Sequence, residues 1–138
     1  MPTTYPISAN YVDGQVLTAA NVNGIATGIN EIAALQLNAQ TGTSYTLALT
    51  DAAKMVTLTN AAAITLNINT DANVNFAIGT QILLYQGGAG QVTIAATTPA
   101  TTSVRSHGSK TKITGQYGVA CCMKIAANEW VIFGNLTA

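Results

Sequence analysis

The residues able to do acid, base or metal chemistry are few and scattered. Carboxylates stand at Asp13, Glu31, Asp51, Asp71 and Glu129, and the one imidazole is His107. A hydrolytic triad needs its histidine beside a serine and a carboxylate, yet the nearest acid downstream of His107 is Glu129. A zinc site wants four ligands; one histidine and two vicinal cysteines, Cys121 and Cys122, do not supply them. Neighbouring strand residues point to opposite faces, so a disulfide between those two is awkward. One thiol is expected in a core and the other near a surface or interface. The stretch "DANVNF" spaces Asp71, Asn73 and Asn75 like the start of an EF-hand loop. Phe76 stands where that loop needs glycine and Ile82 where it needs glutamate, so a polar turn is expected instead. "GGAG", at 87–90, lacks the lysine and following helix of a phosphate-binding loop. No catalytic, cofactor-binding or metal-binding residue is assigned, and no enzymatic activity is expected.

One cluster of charge remains. Arg105, His107, Lys110 and Lys112 hold three of the five basic residues within "VRSHGSKTK". They form a candidate ligand loop for an anionic partner such as a phosphate or an acidic glycan. The alternative is a solvated hairpin face. Trp130, in "EWVIFG", is read as core rather than as a sugar-stacking platform.

The totals set the class. The 138 residues suit one domain and a short appendage. Charged residues make up 7%, against roughly 25% in ordinary soluble domains, and the net charge is +0. Nucleic-acid binding is not expected, because its basic footprint is missing. No apolar run approaches the roughly 20 residues that span a bilayer, so no membrane insertion is expected. "MPTTYPISAN" has no basic and apolar leader pattern, and folding in a cytoplasm is expected. A chain so poor in charge is best explained as a subunit covered by its own copies or by a larger assembly.

The elements follow from punctuation and period. Residues 1–17 read as an arm, with Pro2, Pro6, Asp13 and Gly14 arguing against regular structure. Thr18 is a plausible N-cap, and residues 18–40 read as an oligomerising helix. Val22, Ile25, Ile29 and Ile32 fall at spacings of 3, 4 and 3, a heptad seam continued by Gln36. Isoleucine at both seam positions favours three or more strands. The seam spans only about two heptads, so packing of the helix on its own β domain stays open. Leu35 and Leu37 lie off the seam and could pack on that domain. Residues 41–138 read as short strands: Tyr45–Leu49, Met55–Thr59, Ile64–Ile68, Gln81–Gln86, Gln91–Ala95, Lys110–Thr114, Val119–Ile125 and Trp130–Phe133. The expected fold is mainly β: an arm, a short helix in a trimeric coiled-coil-like bundle, then an antiparallel β-sandwich or jelly-roll-like domain.

The stretch "YVDGQVLTAANVN" resembles the start of many bacteriophage tail-fibre and appendage proteins, in which an aromatic residue, a DG turn and a helix start form the attachment segment. "QTGTSYTLALTDAAKMVTLTNAAAITLNI" through "ANEWVIFGNLTA" is similar to a β domain common in phage virion proteins. The resemblance implies a non-enzymatic homotrimer located in the virion. Tyr11, Val12, Asp13, Gly14 and Leu17 would attach it to a tail, portal-vertex or capsid protein. The β domain would form an exposed tip, which could meet a host surface receptor or glycan. The alternatives are a capsid decoration protein and a receptor-binding tip. The chain is shorter than most fibres and has no extended shaft.

Overall fold

A computed structural model of the chain describes Asn23 and residues 34–138. The attachment residues Tyr11, Val12, Asp13, Gly14 and Leu17 lie outside the described residues, as do the seam residues Val22, Ile25, Ile29 and Ile32. Asn23, within the expected helix, is helical. The chain divides into units 1–34 and 35–138, and the account below concerns the second.

That unit is mainly β. Its strands are β1 (Leu37–Gln40), β2 (Ser44–Thr46), β3 (Met55–Leu58), β4 (Ile64–Ile68), β5 (Gln81–Gln86), β6 (Val92–Ala96), β7 (Ser103–Arg105), β8 (Lys112–Ile113), β9 (Val119–Ala126), β10 (Glu129–Gly134) and β11 (Leu136–Thr137). They form a six-stranded sheet ordered β1-β3-β5-β9-β10-β7 and a five-stranded sheet ordered β11-β8-β6-β4-β2. From β1 to β6 the chain visits the two sheets alternately. The next strand in either sheet therefore arrives one full circuit later and runs parallel: β1 with β3, β3 with β5, β2 with β4, and β4 with β6.

This corrects the antiparallel expectation. A hairpin must return beside its own strand, but the short links at 41–43, 59–63 and 87–91 each cross to the opposite sheet. Antiparallel pairing is confined to strands that close the circuit: β9 on β5, β10 on β9, β8 on β6 and β11 on β8. β7 adds to β10 in parallel. A second correction concerns residues 37–40, read from the sequence as the end of the helix. "LNAQ" alternates apolar and polar residues, and it pairs with β3 as β1. Gln36 is exposed, and its carbonyl accepts the Met55 amide at 3.0 Å, leading into that ladder. No helix bundle or coiled coil is seen among the described residues.

The core forms where alternation demands it. Val56, Leu58, Ile64, Leu66 and Ile68 are all fully buried. Together with Ile82, Leu84, Val92, Ile94, Ile113, Cys122, Trp130 and Ile132 they make one cluster drawn from both sheets. Each such side chain contributes about 1.5–3 kcal/mol on burial. Phe76 enters this core from the 69–80 connection and meets Trp130 edge-on, with ring centroids 5.3 Å apart.

The short links stack on one another. Gly87 donates to Leu58 O at 2.8 Å, Gly90 to Asn60 O at 2.9 Å, and the Asn60 amide reaches Thr41 O at 2.7 Å. A Cβ on Gly90 would lie 1.8 Å from Ala62 O, and one on Gly88 would lie 2.3 Å from Asn60 O. "GGAG" is thus glycine-rich because one turn lies against the backbone of the turn below it. Buried Gln86 spans the inside of the same turn, donating to Gly88 O at 3.2 Å and accepting from Val92 N at 3.0 Å.

Candidate functional site

The candidate ligand loop runs from β7 to β8. Its centre is a 3-10 turn, His107–Ser109, in which Gly108 and Ser109 both take left-handed φ, 69° and 55°. This bend divides the four basic residues instead of gathering them. Arg105 pairs with Glu129 through its Nε. It lines a groove of about 490 Å3 with Thr93, Ala95, Thr102, Val104 and Thr111. His107 and Lys110 line a smaller hollow of about 210 Å3 against Ile132, Phe133, Gly134 and Leu136. Lys112 lies on β8, in register with Thr93 of β6 and Thr137 of β11. The loop therefore offers two shallow recesses, one with its cation already paired and one with His107 and Lys110 exposed.

The "DANVNF" turn binds a cation, but the cation belongs to the chain. Lys124, 1% exposed on β9, places its ammonium 2.7 Å from Asp71 Oδ1, 3.2 Å from Asn75 Oδ1 and 2.6 Å from Phe76 O. Asp71 Oδ2 accepts the Asn128 amide at 2.9 Å, and Asn128 Oδ1 accepts the Asp71 amide at 2.8 Å. Burial works against ionisation of Asp71, but the Lys124 bond and the Asn128 amide outweigh it and hold the carboxyl below its ordinary range. The alternating set Asp71, Asn73 and Asn75 does not converge as a whole: Asp71 and Asn75 meet with the Phe76 carbonyl, while Asn73 turns away and donates to Asn69 Oδ1 at 3.3 Å. A lysine on an apolar strand is what fills the space between those oxygens.

Another acid, Asp51, is buried at 1% exposure. It accepts from Asn38 Nδ2 at 2.7 Å, Tyr45 OH at 2.8 Å and Ala48 N at 2.8 Å. Burial first, then the bond and charge of Asp51, push the Tyr45 phenol up from its ordinary pKa. This network ties β1, β2 and the 3-10 turn Leu49–Asp51 into one circuit. Buried Asp51 and half-buried Asp71 thus both serve the connections that carry the chain back to the six-stranded sheet. Among the described residues no group of three His, Cys, Asp or Glu side chains converges. No helix among them is long and apolar enough to cross a membrane.

Cys121 and Cys122 are free and point to opposite faces of β9, as alternation requires. Cys122 lies in the core, and burial, followed by its neighbour, pushes its thiol far up. Burial raises Cys121 too, partly offset by a bond to the Ile82 backbone.

Sequence reading missed one surface. The register aligns Leu37, Met55, Leu83, Cys121 and Phe133 across five strands of the six-stranded sheet. By alternation they lie on the face opposite Val56, Leu84, Cys122 and Ile132; Leu37 and Phe133 are exposed there, Met55 and Leu83 half-buried, and Cys121 buried. Leu35 and Leu37 are not packed in the domain core as expected; they are 49% and 64% exposed. The signal was available in β5 "QILLYQ", β9 "VACCMKIA" and β10 "EWVIFG". Apolar runs such as "ILLY", "VACCM" and "WVIF" within them mark strands with apolar residues on both faces. No protein-family model, curated protein or solved structure matches the chain.

Proposed function

We propose that this chain is a non-enzymatic, homotrimeric component of a bacteriophage virion, a short fibre or appendage anchored by its N-terminus. Its 35–138 unit is read as a sandwich of two sheets forming the exposed tip. The observation that carries the reading is the use of charge. Asp51 and Lys124 are spent inside the fold, partly exposed Asp71 on Lys124, and Arg105 and Glu129 on each other. Among the described residues Lys54, Lys110 and Lys112 stand outside these pairs, a sparse charge that suits assembly. The resemblance of residues 11–23 to phage attachment segments supplies the context. Light scattering of the purified full chain tests the assembly: a mass of about three subunits is expected from isoleucine at both seam positions. A monomer at every concentration sinks the fibre. Antibody labelling of intact particles tests the location. Label at the tail or a head vertex supports the appendage, label spread over the head supports the decoration alternative, and unlabelled particles sink both.

The recesses beside His107–Ser109 favour a second reading, in which the tip meets an acidic host-surface glycan. Its test is calorimetry with an acidic polysaccharide. Binding that disappears in His107→Ala with Lys110→Ala supports it, and no heat of binding in the native chain removes it.

A further inference from the structure

We infer that the smaller hollow, beside His107 and Lys110, is a subsite for one carboxylated sugar ring of the hexuronic acid class. The inference rests on the glycan reading and deepens it, by naming the recess and the unit it takes. The hollow exists because the two neighbours of β10 end at different places. β9 accompanies β10 as far as Gly134, whereas β7, on the other side, leaves it after Val131. Ile132, Phe133 and Gly134 therefore have a strand on one side only, and these residues line the hollow. Beyond β7 the chain turns away through left-handed Gly108 and Ser109. His107 and Lys110 border the space from that turn, and Leu136 borders it from the other sheet.

Charge, hydrogen bonding and size define the occupant. Both basic side chains are exposed, and neither is in an ion pair. No carboxylate lines the hollow, and Glu129, at the start of β10, is held by Arg105. The complement is therefore an anion, and a carboxylate can accept from both groups at once. A strand edge presents main-chain donors and acceptors; a sugar hydroxyl does both and answers either. Phe133, 49% exposed, and half-buried Leu136 offer an apolar surface for the C–H face of a ring. Lysine alone would suffice to guard a bare strand edge; the exposed phenyl ring beside it is what guarding does not require. The hollow is about 210 Å3, below the roughly 300–1,000 Å3 of sites for drug-sized ligands, which leaves room for one ring and not for a chain of them. An extended peptide is the poorer fit, because the free edge is confined to residues 132–134 and β7 stands in line with it at one end.

The test is amide NMR of the isotope-labelled full chain, titrated with glucuronate, glucose, acetate and a blocked triglutamate peptide. Glucuronate is expected to bind in the millimolar range, as one ring in a shallow site should. It should move the amide signals of His107, Lys110, Phe133 and Gly134 and leave those of β2 and β4 in place. Glucose and acetate are each expected to bind at least about tenfold more weakly, because one lacks the charge and the other the ring. Lys110→Ala and Phe133→Ala should each weaken glucuronate by a similar factor and Lys54→Ala leave it unchanged, with each variant's spectrum confirming the fold. Acetate that binds as well as glucuronate overturns the inference and leaves an anion site only. A triglutamate peptide that binds there more tightly than glucuronate overturns the sugar in favour of a peptide strand. Glucuronate that gives no saturable shift also overturns the inference. If an acidic polysaccharide still binds in that case, and is lost in His107→Ala with Lys110→Ala, the glycan reading stands as attraction to a polyanion. If the polysaccharide does not bind either, both fall.

Discussion

The two sheets share one core and differ on their outer faces. Across the five-stranded sheet, the register aligns Ser44, Thr65, Thr93, Lys112 and Thr137. Across the six-stranded sheet, the equivalent row is Leu37, Met55, Leu83, Cys121 and Phe133. The inward sets are alike in kind, since Ile64, Leu66 and Ile94 on one sheet meet Val56, Leu84 and Ile132 on the other in the same cluster. Folding therefore asks the same thing of both sheets and leaves their outer faces free. The hydroxyl row suits water, because threonine is at home on a solvated strand. The apolar row is poorly suited to water. The contrast teaches that the apolar outer row is not a by-product of the fold, because the same fold carries a polar row on its other side.

The sharpest way to break both faces together is at Asp71. Its pair with Lys124 joins β9, which lies beneath the apolar row, to the connection leading out of β4. Asp71→Asn leaves a buried ammonium without its counter-charge, and a loss of about 3–5 kcal/mol in urea unfolding is expected. The pH dependence isolates the cause. A carboxyl whose folded pKa is depressed stabilises fully above its unfolded value of about 3.9, and that stability is lost as pH falls through the folded value. The gap between wild type and Asp71→Asn is thus expected to be constant above about pH 5 and to narrow below about pH 4. A gap that persists unchanged into acid would mean that the pair is not what holds the turn.

How far the contrast could be read from the sequence depends on the strand. Ile64–Ile68 and Gln81–Gln86 were legible to the residue, because alternation or apolar runs end cleanly at turn residues. β1, β7 and β11 were not. Leu37–Gln40 continues a helical spacing, Ser103–Arg105 follows the low-complexity "TTPATT", and Leu136–Thr137 is too short to show a period. The parallel pairing was illegible for a different reason. Three to five residues of Gly, Ala, Asn and Thr make a hairpin in one context and a crossing in another, and only the partner sheet decides. Lys124 is the other lesson, since one lysine in an apolar strand reads as an exposed position until the carboxylate 53 residues away is placed beside it. The loop at 105–112 was legible as a basic cluster, but its division by the turn at Gly108 and Ser109 was not.

A second, smaller break acts on register. The alignment of both rows depends on the 87–91 link lying flat on the 59–63 link, and Gly90 makes the closest approach. Gly90→Ala forces the two backbones apart, and a loss of about 1–3 kcal/mol is expected by thermal or urea unfolding. Because β3 with β5 and β4 with β6 are joined at this corner, the loss should appear whether or not the chain is assembled. A stability equal to wild type would mean that the turns are not in the contact described.

The smallest effect sharpens the comparison without touching the fold. Thr65 and Thr93 stand side by side in the polar row, on strands whose inward neighbours Ile64, Leu66, Val92 and Ile94 are fully buried. Replacing both by valine keeps the β-branched shape that suits a strand and removes only two outward hydroxyls. Stability should change by less than about 0.5 kcal/mol per site, as for surface positions elsewhere. Behaviour at high concentration should change more, because the substitution begins to give the hydroxyl row the character of the leucine row. Light scattering is then expected to show new, open-ended association in the double variant, since apolar outer rows on both sheets give contact faces that propagate rather than close. A double variant that remains as soluble and as discrete as wild type would show that outer-row polarity alone does not set the state of assembly. The apolar row would then need its particular residues, Leu37 and Phe133 at its two ends, and not merely the absence of polar ones.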